Sequence, residues 1–182
     1  MALSVPEFFG GLMKIRIGSA ASLLLVLTGC SVPSLWPLYS ERDIIFDLTL
    51  VGEWQEEGTR ARTTIKQAGL KSYEISHRDE DGVTLRYSGH LVRLGSQTFL
   101  NLFPAMDDKR ADDMGYVPVH NLYRVALEGS TLRFGGLRST WLTDALAQKK
   151  ITISHATFRA PGERQDQLLL TASTSELQDF IG

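Results

Sequence analysis

Cys30 is the only cysteine among the 182 residues, and it follows the apolar run Leu23-Leu24-Leu25-Val26-Leu27 and the small pair Thr28-Gly29. In an exported chain a lone cysteine is a free thiol, half of an intermolecular disulfide or a modified residue. Its place just behind an apolar run selects the modified residue over a buried structural cysteine. The other residues capable of chemistry are dispersed. His77, His90, His120 and His155 show neither His-x-x-x-His nor Glu-x-x-His spacing, and no cysteine partner exists for a metal. His90 and His120 fall in different expected strands and could meet across a sheet, either as metal ligands or as ordinary hydrogen-bonded strand histidines. Asp107-Asp108 and Asp112-Asp113 could bind Ca²⁺, but they lack alternating oxygen ligands and a closing Glu, which favours solvated charge. There is no Gly-x-Ser-x-Gly elbow and no phosphate-cradling glycine loop. The chain is therefore expected to have no catalytic residue, cofactor or metal, and its ligand-binding residues stay unassigned.

The segment that would position Cys30 has the parts of an export signal: a basic start at Met13-Lys14-Ile15-Arg16, an apolar stretch from Ile17 to Leu27, and the small pair before the cysteine. That stretch is too short for a spanning helix, which needs about 20 residues. Met1 to Leu12 fits this signal poorly, because Glu7 is acidic and Phe8-Phe9-Gly10-Gly11 precedes the basic residues. Translation is expected to start at Met13. The expected division is a signal peptide over 1–29, a lipidated tether over 30–47, and a single β domain over 48–182.

Removing residues 1–29 leaves 153 of the 182, enough for one domain with a proper core. Lys14, Arg16 and Glu7 leave with the signal, so the mature part carries 17 basic and 20 acidic residues. This small acidic excess argues against nucleic acid as a partner. It also argues against electrostatic attachment to anionic lipid, so attachment falls to acyl chains.

In the tether, Pro33 and Pro37 remove backbone donors, which favours extended chain over helix or sheet interior. Trp36, Leu38 and Tyr39 would be awkward in water; they either pack on the domain or sit at a lipid interface. From Leu48 onward the period is two, as in Val83-Leu85-Tyr87 and in Val117 to Leu127. Shorter strands are expected at Gly52–Glu57, Arg62–Gln67, Ser72–Ser76, Thr98–Phe103, Thr131–Phe134, Ile151–Thr157 and Gln167–Thr171. Turn signals between them predict a mainly β fold, an antiparallel meander curling into a small barrel or half-barrel. Ser139 is expected to cap a short internal helix ending near Lys149-Lys150, and Ser173-Thr174-Ser175-Glu176 to open a short C-terminal helix. Pro104 to Tyr116 is a long charged connection, either a solvated loop or a mobile flap over a barrel mouth.

Leu27-Thr28-Gly29-Cys30 resembles the lipobox of bacterial lipoproteins. The resemblance implies a thioether-linked diacylglyceryl group on Cys30 and, after cleavage, an amide-linked acyl chain such as palmitate. Ser31 in place of Asp resembles the outer-membrane sorting pattern, which implies the periplasmic face of that membrane. Val51-Gly52-Glu53-Trp54 is similar to the Gly-x-Trp start of lipocalins, although their later sequence patterns are absent. With Pro37-Leu38-Tyr39, His90 to Leu94, Phe99-Leu100-Asn101-Leu102, Pro118-Val119-His120, Trp141-Leu142 and the Leu169 to Gln178 ending, the mature part resembles a family of uncharacterised bacterial lipoproteins. The expectation is a non-catalytic membrane-anchored lipoprotein of the cell envelope. Its barrel would bind an apolar or lipid ligand, or it would serve as a protein–protein interaction module in envelope assembly or maintenance.

Overall fold

The computed structural model describes residues 31–105, 117–159 and 166–182. Cys30, the whole export segment and both aspartate pairs of the 104–116 connection lie outside them.

Which faces of the strands are apolar decides the architecture. In β3 (Arg62–Gln67) and β4 (Tyr73–Arg78), Thr63, Ile65, Tyr73, Ile75 and His77 are buried, while Arg62, Lys66, Glu74 and Arg78 face solvent. One face of this part of the sheet meets a core and the other meets water. Further along, both parities are buried: Leu91 and Val92 in β5 (Thr84–Leu94), Phe99 and Leu100 in β6 (Gln97–Pro104), Leu122 and Tyr123 in β7 (Asn121–Glu128). Strands with two apolar faces need cover on both sides.

The antiparallel sheet has eight strands among the described residues, running from β2 (Gly52–Gln55) through β3 to β7 and ending at β8 (Thr131–Gly136). A short strand β1 (Ile44–Ile45) pairs with Val92 and Leu91 of β5, beyond the stretch of β5 that β4 occupies. The sheet is strongly curled into a lipocalin-like half-barrel, with β2 and β8 as its edges. Its concave side is filled by packed side chains, among them Leu50, Trp54, Ile65, Tyr73, Leu102, Tyr123 and Leu132. Gly89 leaves room there, since a Cβ at that position would lie 2.8 Å from Ile75 Cδ1.

The Gly-x-Trp start has a backbone reason. Gly52 has φ +154°, a conformation that L side chains rarely adopt, and it lets the chain swing from a 3-10 turn (Leu48–Leu50) into β2. Trp54 is then buried, with its indole N–H donating to the Leu50 carbonyl at 2.9 Å.

The outer side of β5 to β8 is covered by helix α1 (Ser139–Ala147), helix α2 (Thr174–Ile181) and the two-stranded ribbon of β9 (His155–Phe158) and β10 (Gln167–Leu170). Leu142, Ile153, Leu168, Leu170, Leu177 and Ile181 bury against Phe99, Leu122 and Leu137. Ser173 accepts from the Glu176 N–H while Glu176 reaches back to the Ser173 N–H, the expected capping box. No helix of the described residues is long and apolar enough to cross a membrane.

Several local expectations need correction. Arg138, not Ser139, holds the N-cap position of α1, and α1 ends at Ala147, with Lys149 already at φ 53° beyond the last turn. β7 starts only at Asn121, because Pro118 interrupts Val117 to His120, and β9 starts only at His155. Residues 31–47 are not a free tether. Ser31 bridges to Arg138, Ser34 bridges to both His120 and Leu170, Glu41–Asp43 forms a 3-10 turn, and Ile44–Ile45 joins the sheet. Leu38 is fully buried and Tyr39 half-buried, as the packing alternative requires, whereas Trp36 remains 52% exposed.

Candidate functional site: a splice of the first residues into the sheet

Residues 31–38 are held by backbone and side-chain bonds to β6, β10 and α2 and to Leu137 and His120 just outside β8 and β7. The Val32 N–H donates to the Leu137 carbonyl at 3.1 Å. Ser34 and His120 exchange two backbone bonds of 2.8 and 2.7 Å, and Leu35 N–H and Leu170 N–H donate to Leu170 O and Pro33 O. Pro33 and Pro37 lose nothing by lacking a donor, because each contributes its carbonyl instead: Pro37 O accepts from Thr174 Oγ1 at 2.8 Å. Val32, Ser34 and Leu38 are completely or almost completely buried. Burying Val32 and Leu38 contributes roughly 1.5–3 kcal/mol each, as an upper bound.

Beneath this splice lies a polar network on the outer side of the sheet. His90 of β5 sits opposite Asn101 of β6, and Asn101 opposite Leu122 of β7. Asn101 is fully buried; its Oδ1 accepts from the Leu38 N–H at 3.0 Å and its Nδ2 lies 2.9 Å from His120 Nδ1. Because the Asn101 oxygen is already committed, its amide donates to His120, and His120 Nδ1 must be the bare nitrogen. Tyr39 Oη lies 3.0 Å from His90 Nδ1, and its ring packs 4.7 Å from that imidazole. Phe103 packs 4.6 Å from the His120 ring. Burial, with the His90 charge second, pushes His120 down to about 4. Burial also lowers His90 and raises the Tyr39 hydroxyl.

The sequence-predicted candidates separate clearly. His90 and His120 do come together, on either side of Asn101, each with Nδ1 engaged in a hydrogen bond. His77 is buried on the concave side, 2.9 Å from Thr63 Oγ1, and His155 is exposed with Nδ1 on the Ile153 carbonyl. Among the described residues no group of three or more His, Cys, Asp or Glu could hold a metal ion. Pro104 is the buried last residue of β6, not the start of a flap, and 106–116 lie outside the described residues. Cys30 lies outside them too, one residue before the splice begins. Asn101 was the residue that sequence reasoning missed. Its signal was a single amide in Phe99-Leu100-Asn101-Leu102, where apolar residues occupy both parities and any polar group must be satisfied internally.

This network makes stability depend on pH. In the unfolded chain the His120 imidazole takes up a proton near 6.5, in the fold only near 4. The unfolded state therefore binds more protons in between, and the stabilisation is complete above pH 6.5 and lost as pH falls toward 4. A displacement of that size corresponds to about 3 kcal/mol, reduced to about 1–2 kcal/mol by the partial solvent access of the ring. Urea midpoints measured from pH 7.5 to 4 should fall accordingly, and His120→Gln should flatten the curve. An equal slope in both proteins would remove His120 from this role.

No family model, curated protein or solved structure matches this chain.

Proposed function

We propose that the protein is a non-catalytic lipoprotein of the bacterial cell envelope, acylated on Cys30 and facing the periplasm from the outer membrane. Its half-barrel serves as an interaction module for another envelope protein. The observation that carries the choice of module over ligand carrier is the concave core, where Leu50, Trp54, Tyr73, Leu102 and Leu132 occupy the space an apolar ligand would need. Small-ligand carriers of barrel form instead keep a pocket in the mouth.

The ribbon supports the same reading. All four residues of β9 are exposed, including Phe158 at 41%, and β10 is its only strand partner among the described residues. A partner strand adding to that edge would gain main-chain bonds with no rearrangement of the core. A photo-crosslinking residue at Thr157, introduced in the host organism, should give one discrete adduct in membrane extracts. The same residue at Lys66, on the solvent-facing side of β3, should give none. Equal labelling at both positions would overturn the module. Native mass spectra showing a retained apolar ligand beyond the acyl chains would return the ligand reading to first place.

A further inference from the structure

Lipid-anchored domains on flexible linkers sample many orientations, because a Gly- or Ser-rich chain behaves as a random coil. Here the first residue after the acylation site is already in the fold. Ser31 is bridged to Arg138, the Val32 N–H is bonded to Leu137, and Val32 is 1% exposed. Ser31 also lies tight against β8, where a Cβ on Gly136 would come within 2.8 Å of Ser31 Cβ. Consecutive Cα atoms are about 3.8 Å apart, so an anchor on the residue before Ser31 would be attached directly beside this surface.

From this we infer that the protein has a fixed membrane-contacting face. It is the groove between Ser31–Pro33, the exposed first turns of α1 and the start of β10, held against the headgroup layer of the bilayer that carries the anchor. The inference rests on acylation of Cys30. Acyl chains occupy the hydrocarbon and the glyceryl group stays at its border, so Ser31 sits in the headgroup zone, roughly 5–8 Å deep. The groove beside it has a volume of about 660 Å³ and is lined by Ser31, Ser139, Thr140, Thr143, Asp144 and Gln167 among others. With the carboxylates of Asp144 and Asp166 beside these hydroxyl and amide groups, the lining is polar, as a wet headgroup layer requires. Among the described residues no Lys or Arg lines it, so contact comes from the short covalent connection and not from attraction to anionic lipid. The face opposite the membrane is then set as well, which directs the rest of the domain toward the periplasm in one orientation.

The test uses the full acylated protein extracted from its host membranes, with Cys30 blocked by its own modification. A fluorophore on Thr140→Cys is read in vesicles of phosphatidylethanolamine and phosphatidylglycerol carrying a headgroup nitroxide quencher. Strong quenching is expected. Inserting ten Gly and Ser residues between Cys30 and Ser31, beginning with Ser so that the residue after the cysteine is unchanged, should reduce it at least twofold. Such a linker spans roughly 17 Å root-mean-square. Replacing phosphatidylglycerol by neutral lipid, or adding salt, should leave the quenching unchanged. Equal quenching with and without the insert would overturn the fixed face while leaving acylation standing. Loss of quenching in neutral lipid would overturn it in favour of charge attraction. An intact mass lacking the acyl chains, with failure to float with vesicles, would instead sink the acylation of Cys30 and the fixed face together.

Discussion

A Cys30→Ala chain is expected to incorporate no labelled palmitate and to keep the mass of an unprocessed polypeptide beginning at Met13. The effect is all-or-none because the modification needs the sulfur: the thioether to diacylglycerol forms on it, and removal of the signal follows that step in the lipoproteins this segment resembles. No second cysteine can substitute. Each buried methylene contributes roughly 0.8 kcal/mol, so one chain anchors marginally and two or three make dissociation negligible. The mature part is mildly acidic and offers no replacement attachment to anionic lipid. Labelling in the host followed by intact-mass measurement reads both consequences. Continued palmitate incorporation in Cys30→Ala would refute the acylation site. A precursor peptide containing Val5 and Pro6 would refute only the start at Met13.

The parts of this fold that were legible in the sequence are those where one physical requirement acts alone. β3 and β4 alternate cleanly because one face meets core and the other water, and their register pairs Ile65 with Ile75 and Thr63 with His77. The capping box at Ser173 and Glu176 is local chemistry and appears as expected. Gly52 and Trp54 were legible because a positive φ and a buried indole leave few alternatives. Where two requirements act on the same residues, the pattern disappears. Residues 31–38 contain two prolines and no period, yet they lie in the fold, because each proline needs only its carbonyl there and Ser34 supplies the N–H and C=O that bridge to His120. β1 is two residues long and owes its place to the part of β5 that β4 leaves free. Whether the sheet closes was also beyond the sequence, since closure depends on strand tilt and stagger.

The same overlap of requirements explains why Asn101 is the most informative side chain in the described structure. Asn101→Leu preserves volume but strands two buried groups, the Leu38 N–H and His120 Nδ1. A buried donor or acceptor left without a partner costs about 1–3 kcal/mol. The variant should lose about 2–4 kcal/mol in urea unfolding, with a melting midpoint lower by about 5–12 °C for a chain of this size. Asn101→Asp separates the hydrogen bonds from their polarity. Its carboxylate still accepts from the Leu38 N–H, but it now presents an acceptor to His120 and favours the imidazolium. That raises the His120 pKa from about 4 to above its unfolded value. A group whose folded pKa is raised contributes stability below the unfolded pKa and loses it as pH rises through the folded one. In Asn101→Asp the loss of stability between pH 6.5 and 4 should therefore vanish from the His120 contribution, and stability should instead fall as pH rises above 6.5, although burial of the ion pair lowers stability at every pH. Histidine resonances followed by NMR would report the shift directly. A His120 titration unchanged in Asn101→Asp would mean that the amide does not govern that ring, and that the splice of the first residues is held by the backbone ladder alone.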